Sequence, residues 1–198
     1  MYRLILFILL LQLSCKEYKK SGNTAIHAHS TFRVKIIPLG KIEKKTADSL
    51  LVSIKEILPA TEMVAHEPMP EMAYYKPRNR YRADSIISWL RNRAGKDEVL
   101  LGITSQDIST TKNDNPDSGV MGLGFQPGNA CVASDYRLRN KKSLFKIAIH
   151  ELGHTTGLSH CPEKNCYMRD AKGGNPTEEE TGFCATCKKH LLSKGWRL

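Results

Sequence analysis

Acidic side chains are in short supply in this 198-residue chain, where 20 Asp and Glu stand against 30 Lys and Arg for a net charge of +10. The imbalance favours anionic surfaces such as phosphates or anionic lipid, and says nothing about the fold. Glycine and proline, at 14 and 9 residues, are too few for a collagen-like or low-complexity chain, and no repeat divides the sequence. With 40% hydrophobic and 25% charged residues, the composition also excludes a wholly disordered chain or a coiled coil. A packed core is within reach, and the length suits one domain of ordinary size. The apolar run Leu4 to Leu13 covers ten residues and is broken by Gln12, about half of what a bilayer-crossing helix needs.

That run reads as the apolar centre of an export signal. Arg3 supplies its positive lead, and Leu13, Ser14 and Cys15 put a small residue and a thiol where a bacterial lipoprotein signal is cut. The match departs from the usual pattern at Gln12, where Leu is customary. Residues 1–15 are therefore expected to be a signal peptide ending in a lipobox, with Cys15 as the lipidated first residue. Residues 16–30, polar and Lys-rich, are expected to form a tether in which His27 and His29 are solvated. The expected address is the bacterial cell envelope, lipid-anchored after export, or otherwise a secreted or periplasmic location.

Further along, strand and helix patterns alternate. Residues 32–38 are β-branched and end in Pro38, and residues 42–58 carry apolar side chains at helical spacing. Short strands are expected over residues 62–65 and 72–75, an amphipathic helix over residues 82–93, and a strand buried on both faces over residues 99–104. Tyr74 to Arg82 interleaves aromatic with basic residues, as single-strand binders do, but reads better as a solvated loop. Residues 107–118 are polar and turn-rich, with Asp107 a turn former. Gly119 to Phe125 and Ala130 to Ala133 then form two strands around a Pro127-Gly128-Asn129 turn, which puts an antiparallel strand at the sheet edge. Cys131, inside that hairpin, is expected to be a small buried hydrophobe. Ser143 is expected to N-cap the next helix, and Glu178 to Glu180 to open the last one, followed by Lys188, Lys189 and His190. The pattern predicts a compact α/β fold: a twisted mixed sheet with an antiparallel edge strand, packed helices and a small C-terminal lobe.

The chemistry lies in HELGHTTGLSH, residues 150–160. His150 and His154 are four apart, so both imidazoles share one helix face and reach one cation, with Glu151 beside it. Gly157 permits a left-handed helix end that brings back His160 as a third nitrogen ligand. At this composition an H-E-x-x-H arises by accident in roughly 1% of shuffles, and requiring Gly157 and His160 as well cuts this to a few in 100,000. Three protein ligands leave a tetrahedral zinc one open position, which a structural site would fill. Zinc acidifies water bound there and Glu151 is placed to take its proton, so hydrolysis of a peptide bond is favoured.

After His160 come Cys161, Cys166, Cys184 and Cys187, spaced C-x4-C-x17-C-x2-C, with Met168 two residues past the second cysteine. Short-loop spacings of this kind suit four thiolates around one zinc, which would staple the loop-rich tail. In an oxidising compartment the same four residues also allow two disulfides, in three possible pairings. Residues 150–187 together resemble the archaemetzincins, a branch of the metzincin metallopeptidases. The resemblance implies a metzincin-like fold, with residues 31–198 as a single catalytic domain: an upper α/β part over residues 31–157 and a C-terminal lobe over residues 158–198. It further implies two zinc ions, the catalytic one held by His150, His154 and His160, and a structural one held by Cys161, Cys166, Cys184 and Cys187. Glu151 is then the general base and Met168 the Met-turn. The lipoprotein-like start departs from the family's intracellular members.

The expected partner is a peptide or protein substrate extended along edge strand Gly119 to Phe125, in addition to a membrane reached through the N-terminal anchor. No nucleic acid is expected and the chain is expected to be a monomer. Two non-catalytic readings compete: a zinc-ribbon-like module for nucleic acid or anionic surfaces, and a silent metzincin scaffold that captures peptides. For the anchor, metabolic labelling with a fatty acid is expected to mark the wild type and to miss Cys15→Ala; equal labelling of both would rule out lipidation at Cys15.

Overall fold

A computed structural model describes residues 33–198; the signal, Cys15, His27 and His29 lie outside the described residues. In chain order the regular elements are β1 (Arg33–Pro38), α1 (Lys44–Ile57), β2 (Thr61–Met63), β3 (Tyr74–Tyr75), β4 (Arg80–Arg82), α2 (Ala83–Arg91), β5 (Glu98–Thr104), β6 (Ile108–Lys112), β7 (Asn115–Val120), β8 (Gly122–Gly124), β9 (Ala130–Ser134), α3 (Leu144–Thr155) and α4 (Ala185–Ser193). No helix among the described residues is long and apolar enough to cross a membrane.

The main sheet runs β2-β1-β5-β9-β8, parallel except for β8, which pairs antiparallel with β9 at the edge. Alternation along β5 sends Val99, Leu101 and Ile103 into a core shared with α1 and α3, while Leu100 faces α2. Burial on both faces accounts for its continuous apolar run. Gly102 keeps α2 close: a Cβ there would come within 3.1 Å of Leu90 Cδ1 and 2.9 Å of Leu39 Cδ1.

A second sheet, β3-β4-β6-β7, flanks the α2 side and corrects several expectations. The polar stretch of residues 107–118 is no loop: it makes most of the β6–β7 hairpin, with Asn113 in the left-handed region at the turn (φ 51°). Pro116 is tolerated because β7 is an edge strand. Tyr74 to Arg82 forms β3, a 3-10 turn and β4, and the strand expected over residues 72–75 shrinks to β3 after a 3-10 turn at Glu71–Ala73. The single strand expected at Gly119 to Phe125 breaks at Met121, so that Gly119 and Val120 end β7 in one sheet while Gly122 to Gly124 form β8 in the other.

Ion pairs bind this second sheet. Arg80 lies 3.2 Å from Asp107 and 3.5 Å from Asp117, and Arg137, just past β9, meets Asp107 at 2.7 Å. Asp107 is thus a charge bridge rather than only a turn former. Two further helix signals hold only in part. Ser143 does stand at the N-cap position of α3, but in helical conformation and with no side-chain capping bond; Asn140 accepts from the backbone of Lys142 (3.1 Å) in the 3-10 turn before α3. Glu178 to Glu180 precede α4 in an irregular turn, and α4 starts only after Cys184, with Lys188, Lys189 and His190 inside it.

The carboxy-terminal stretch is nearly strandless and is tied to the main body by edge-to-face aromatics: Phe145 with Tyr167 (6.4 Å), Tyr167 with Phe183 (5.2 Å) and Phe183 with Trp196 (5.8 Å).

Arg80→Ala removes the guanidinium shared by Asp107 and Asp117, which keep Arg137 and Arg82 as partners, and is expected to cost about 1–3 kcal/mol in urea unfolding. A loss below about 1 kcal/mol would make these ordinary surface pairs.

Candidate metal centres

Helix α3 is buried nearly all round, because it fills the space between the main sheet and the carboxy-terminal stretch. Its far end carries His150, Glu151 and His154 into a cleft of about 940 Å³ bounded by β7, β8 and the segment around Asp170 to Glu180. Gly157 ends the helix in the left-handed region, φ 101°, as its position suggests. The chain then doubles back. Leu158 turns its carbonyl to His154 Nδ1 (2.7 Å), and His160 swings over the helix. The three ring centroids stand 4.6, 5.4 and 4.9 Å apart.

The tautomers follow from the carbonyls. His150 Nδ1 meets the Tyr167 carbonyl at 2.6 Å and His154 Nδ1 meets that of Leu158 at 2.7 Å, so both Nδ1 atoms donate and both Nε2 atoms are bare. Those two Nε2 atoms face each other at 3.0 Å. Burial, aided by neighbouring His154, pushes the His150 imidazole down to about 3, and burial likewise lowers His154. Two neutral rings with opposed lone pairs have no proton to share, and a cation resolves the conflict. One ligand nitrogen from each of His150, His154 and His160 lies within 4.8 Å of the others, so the residues fit a three-nitrogen zinc site.

Glu151 is buried against β8. Burial pushes its carboxyl up to about 8, with no opposing charge or hydrogen bond among the described residues. Met168 is fully buried under α3 and is admitted by Gly153, where a Cβ would come 2.5 Å from Met168 Sδ.

All four tail cysteines are brought together, their sulfurs within 4.8 Å of one another. Cys161 Sγ and Cys184 Sγ are 3.6 Å apart, near the edge of about 3.8 Å for a tetrahedron with zinc–sulfur bonds of about 2.3 Å and far from a disulfide length of about 2.05 Å. Cys166 Sγ accepts from the backbone of Met168 (3.5 Å) and Cys184 (3.4 Å). Burial pushes the Cys161 and Cys187 thiols up, so an ion must drive out their protons. Cys131 lies apart, fully buried in β9 as expected, with its thiol pushed up by burial and by Glu151.

Nothing in the local residue pattern points to the carbonyls of Tyr167 and Leu158, to Asp170 at 4.0 Å from His160, or to Gly122, whose absent side chain leaves room for Glu151. The G-x-G of residues 122–124 was the one readable signal, and on its own it suggests only a turn or bulge.

The family model described as peptidase family M54 matches residues 43–193. The archaemetzincin of Haloarcula marismortui is 30% identical over 180 residues, covering 80% of this chain and 99% of that protein. That of Halobacterium salinarum is 29% identical over 177 residues, covering 81% and 99%. Among solved structures, the archaemetzincin of Archaeoglobus fulgidus complexed with malonate superposes with a TM-score of 0.69 at 26% identity, covering 80% of this chain and 99% of that one. The archaemetzincin of Methanopyrus kandleri gives 0.69 at 27%, covering 85% and 98%.

Proposed function

This chain belongs to peptidase family M54, the archaemetzincins, and from that premise we propose that His150, His154 and His160 hold its catalytic zinc while Glu151 acts as general base in peptide-bond hydrolysis. The chain is a zinc-dependent peptidase of mixed α/β fold. The family does not favour the two non-catalytic readings, the nucleic-acid module and the silent scaffold.

The observation that carries the assignment of roles is the pair of bare nitrogens, His150 Nε2 and His154 Nε2, 3.0 Å apart. When bound there, zinc supplies Lewis acidity, which acidifies water and polarises a carbonyl. The chain's own groups do the rest. The carbonyls of Tyr167 and Leu158 fix the two ring orientations and make the imidazoles better donors. Burial makes Glu151 a stronger base than a solvated carboxylate, and a divalent charge beside it favours the ionised form in which a base works. Glu151 takes a proton from water and returns it to the departing amine.

The substrate lies extended along the edge of the main sheet. Among the described residues strand β8 is paired on one side only, and Gly119 to Gly124 line the cleft beside His150 and Glu151, an arrangement suited to strand addition. The broken strand narrows the proposal: β8, rather than the whole of Gly119 to Phe125, is the pairing edge. A second zinc in the Cys161, Cys166, Cys184 and Cys187 cluster is supported by the four converging sulfurs, and the completeness of both clusters within one chain supports a monomer. Envelope anchoring through Cys15 remains a proposal supported by the lipobox-like start.

Glu151→Gln is expected to keep its metal and to lower kcat on a quenched-fluorescence peptide library by at least about 10²-fold. Zinc content with undiminished turnover would remove Glu151 from the chemistry.

A further inference from the structure

Two of the three residues of β8 are glycines, although glycine weakens a strand and neither adopts the left-handed backbone that would require it. The reason lies across the sheet edge. Gly122 pairs with Ala133 and Gly124 with Cys131, so both face α3, whereas Leu123 between them packs toward α2. A Cβ on Gly122 would stand 2.6 Å from Glu151 Cγ and 2.8 Å from Glu151 Cδ, inside any real contact. On Gly124 it would stand 2.9 Å from the backbone oxygen of Glu151 and 3.4 Å from Oε2.

We infer that Gly122 is a positioning residue for the peptidase reaction: its missing side chain forms the flat wall against which the Glu151 carboxyl is held, so that the general base is registered against the strand that binds the substrate. The inference rests on the assignment of Glu151 as base. Gly124 has a different task and lets the α3 backbone come close. The Glu151 side chain is buried between its own helix and β8. A methyl group at residue 122 displaces the reacting oxygens themselves, and a misplacement of about 1 Å in a catalytic group costs about 10²-fold in rate.

The test is a double-mutant cycle read by thermal unfolding and by kinetics on the zinc-loaded protein. Gly122→Ala is expected to lower the unfolding midpoint in the wild type and to leave it unchanged in the Glu151→Ala background, where the atoms it would strike are gone. Gly124→Ala is expected to lower it in both backgrounds, because the backbone oxygen remains. In the wild-type background Gly122→Ala is expected to retain its zinc and lose about 10²-fold in kcat with little change in KM. If Gly122→Ala does not fold in the wild type yet folds with Glu151→Ala, the inference is supported. An equal thermal penalty in both backgrounds, or an unaltered kcat, overturns it. The thermal cycle reads the contact whether or not Glu151 is the base, so failure of that assignment would show separately, as turnover by Glu151→Gln.

Discussion

The molecule is organised around an unfavourable contact, two unprotonated imidazole nitrogens 3.0 Å apart on a buried helix. Such an arrangement persists only if the surroundings hold each ring, and they do so by two backbone carbonyls from different parts of the chain, Tyr167 and Leu158. The main sheet exists, in functional terms, to seat α3 where those carbonyls can reach it. The β8 edge then closes the other side against Glu151.

Three consecutive residues link the histidine cluster to the cysteine cluster. Cys166 gives its sulfur to the cysteine cluster, Tyr167 gives its carbonyl to His150, and Met168 packs its side chain beneath α3 at Gly153. Met168 is locked further by its carbonyl, which accepts from the backbone of Cys161 at 2.7 Å. The cysteines therefore do more than staple a loop-rich tail. By fixing this segment they orient a histidine of the other site, in the manner of outer-shell partners that set ring direction at metal centres. A tail of this size has few apolar residues of its own, and a metal cross-link is a common substitute for a core.

Much of this was readable before any fold was known, for local reasons. The i, i+4 spacing of His150 and His154, the stop at Gly157 and the cysteine spacings are short-range features, and the structure brings together all seven side chains they name. Strands β1 and β5 and helices α1 and α2 announce themselves through apolar periodicity because each packs into a core. The second sheet did not announce itself. Its β6–β7 hairpin is polar because it lies at an edge and is held by charge, and Arg80, its partner in that arrangement, is 27 residues from Asp107 in sequence. The break at Met121 and the role of Gly122 were equally hidden, since each depends on a neighbour supplied by another element. Ser143 and Glu178 to Glu180 are residue types that suit a helix start, but a 3-10 turn capped by Asn140 precedes α3 and α4 begins only after Cys184.

The most direct test of the central claim is a crystal structure of the zinc-loaded protein with anomalous scattering recorded at the zinc edge. The account predicts an ion at about 2.0–2.1 Å from one nitrogen of each of His150, His154 and His160, with its remaining position open to solvent. A fourth protein donor on that ion, or an ion that leaves any of the three rings unligated, would contradict it.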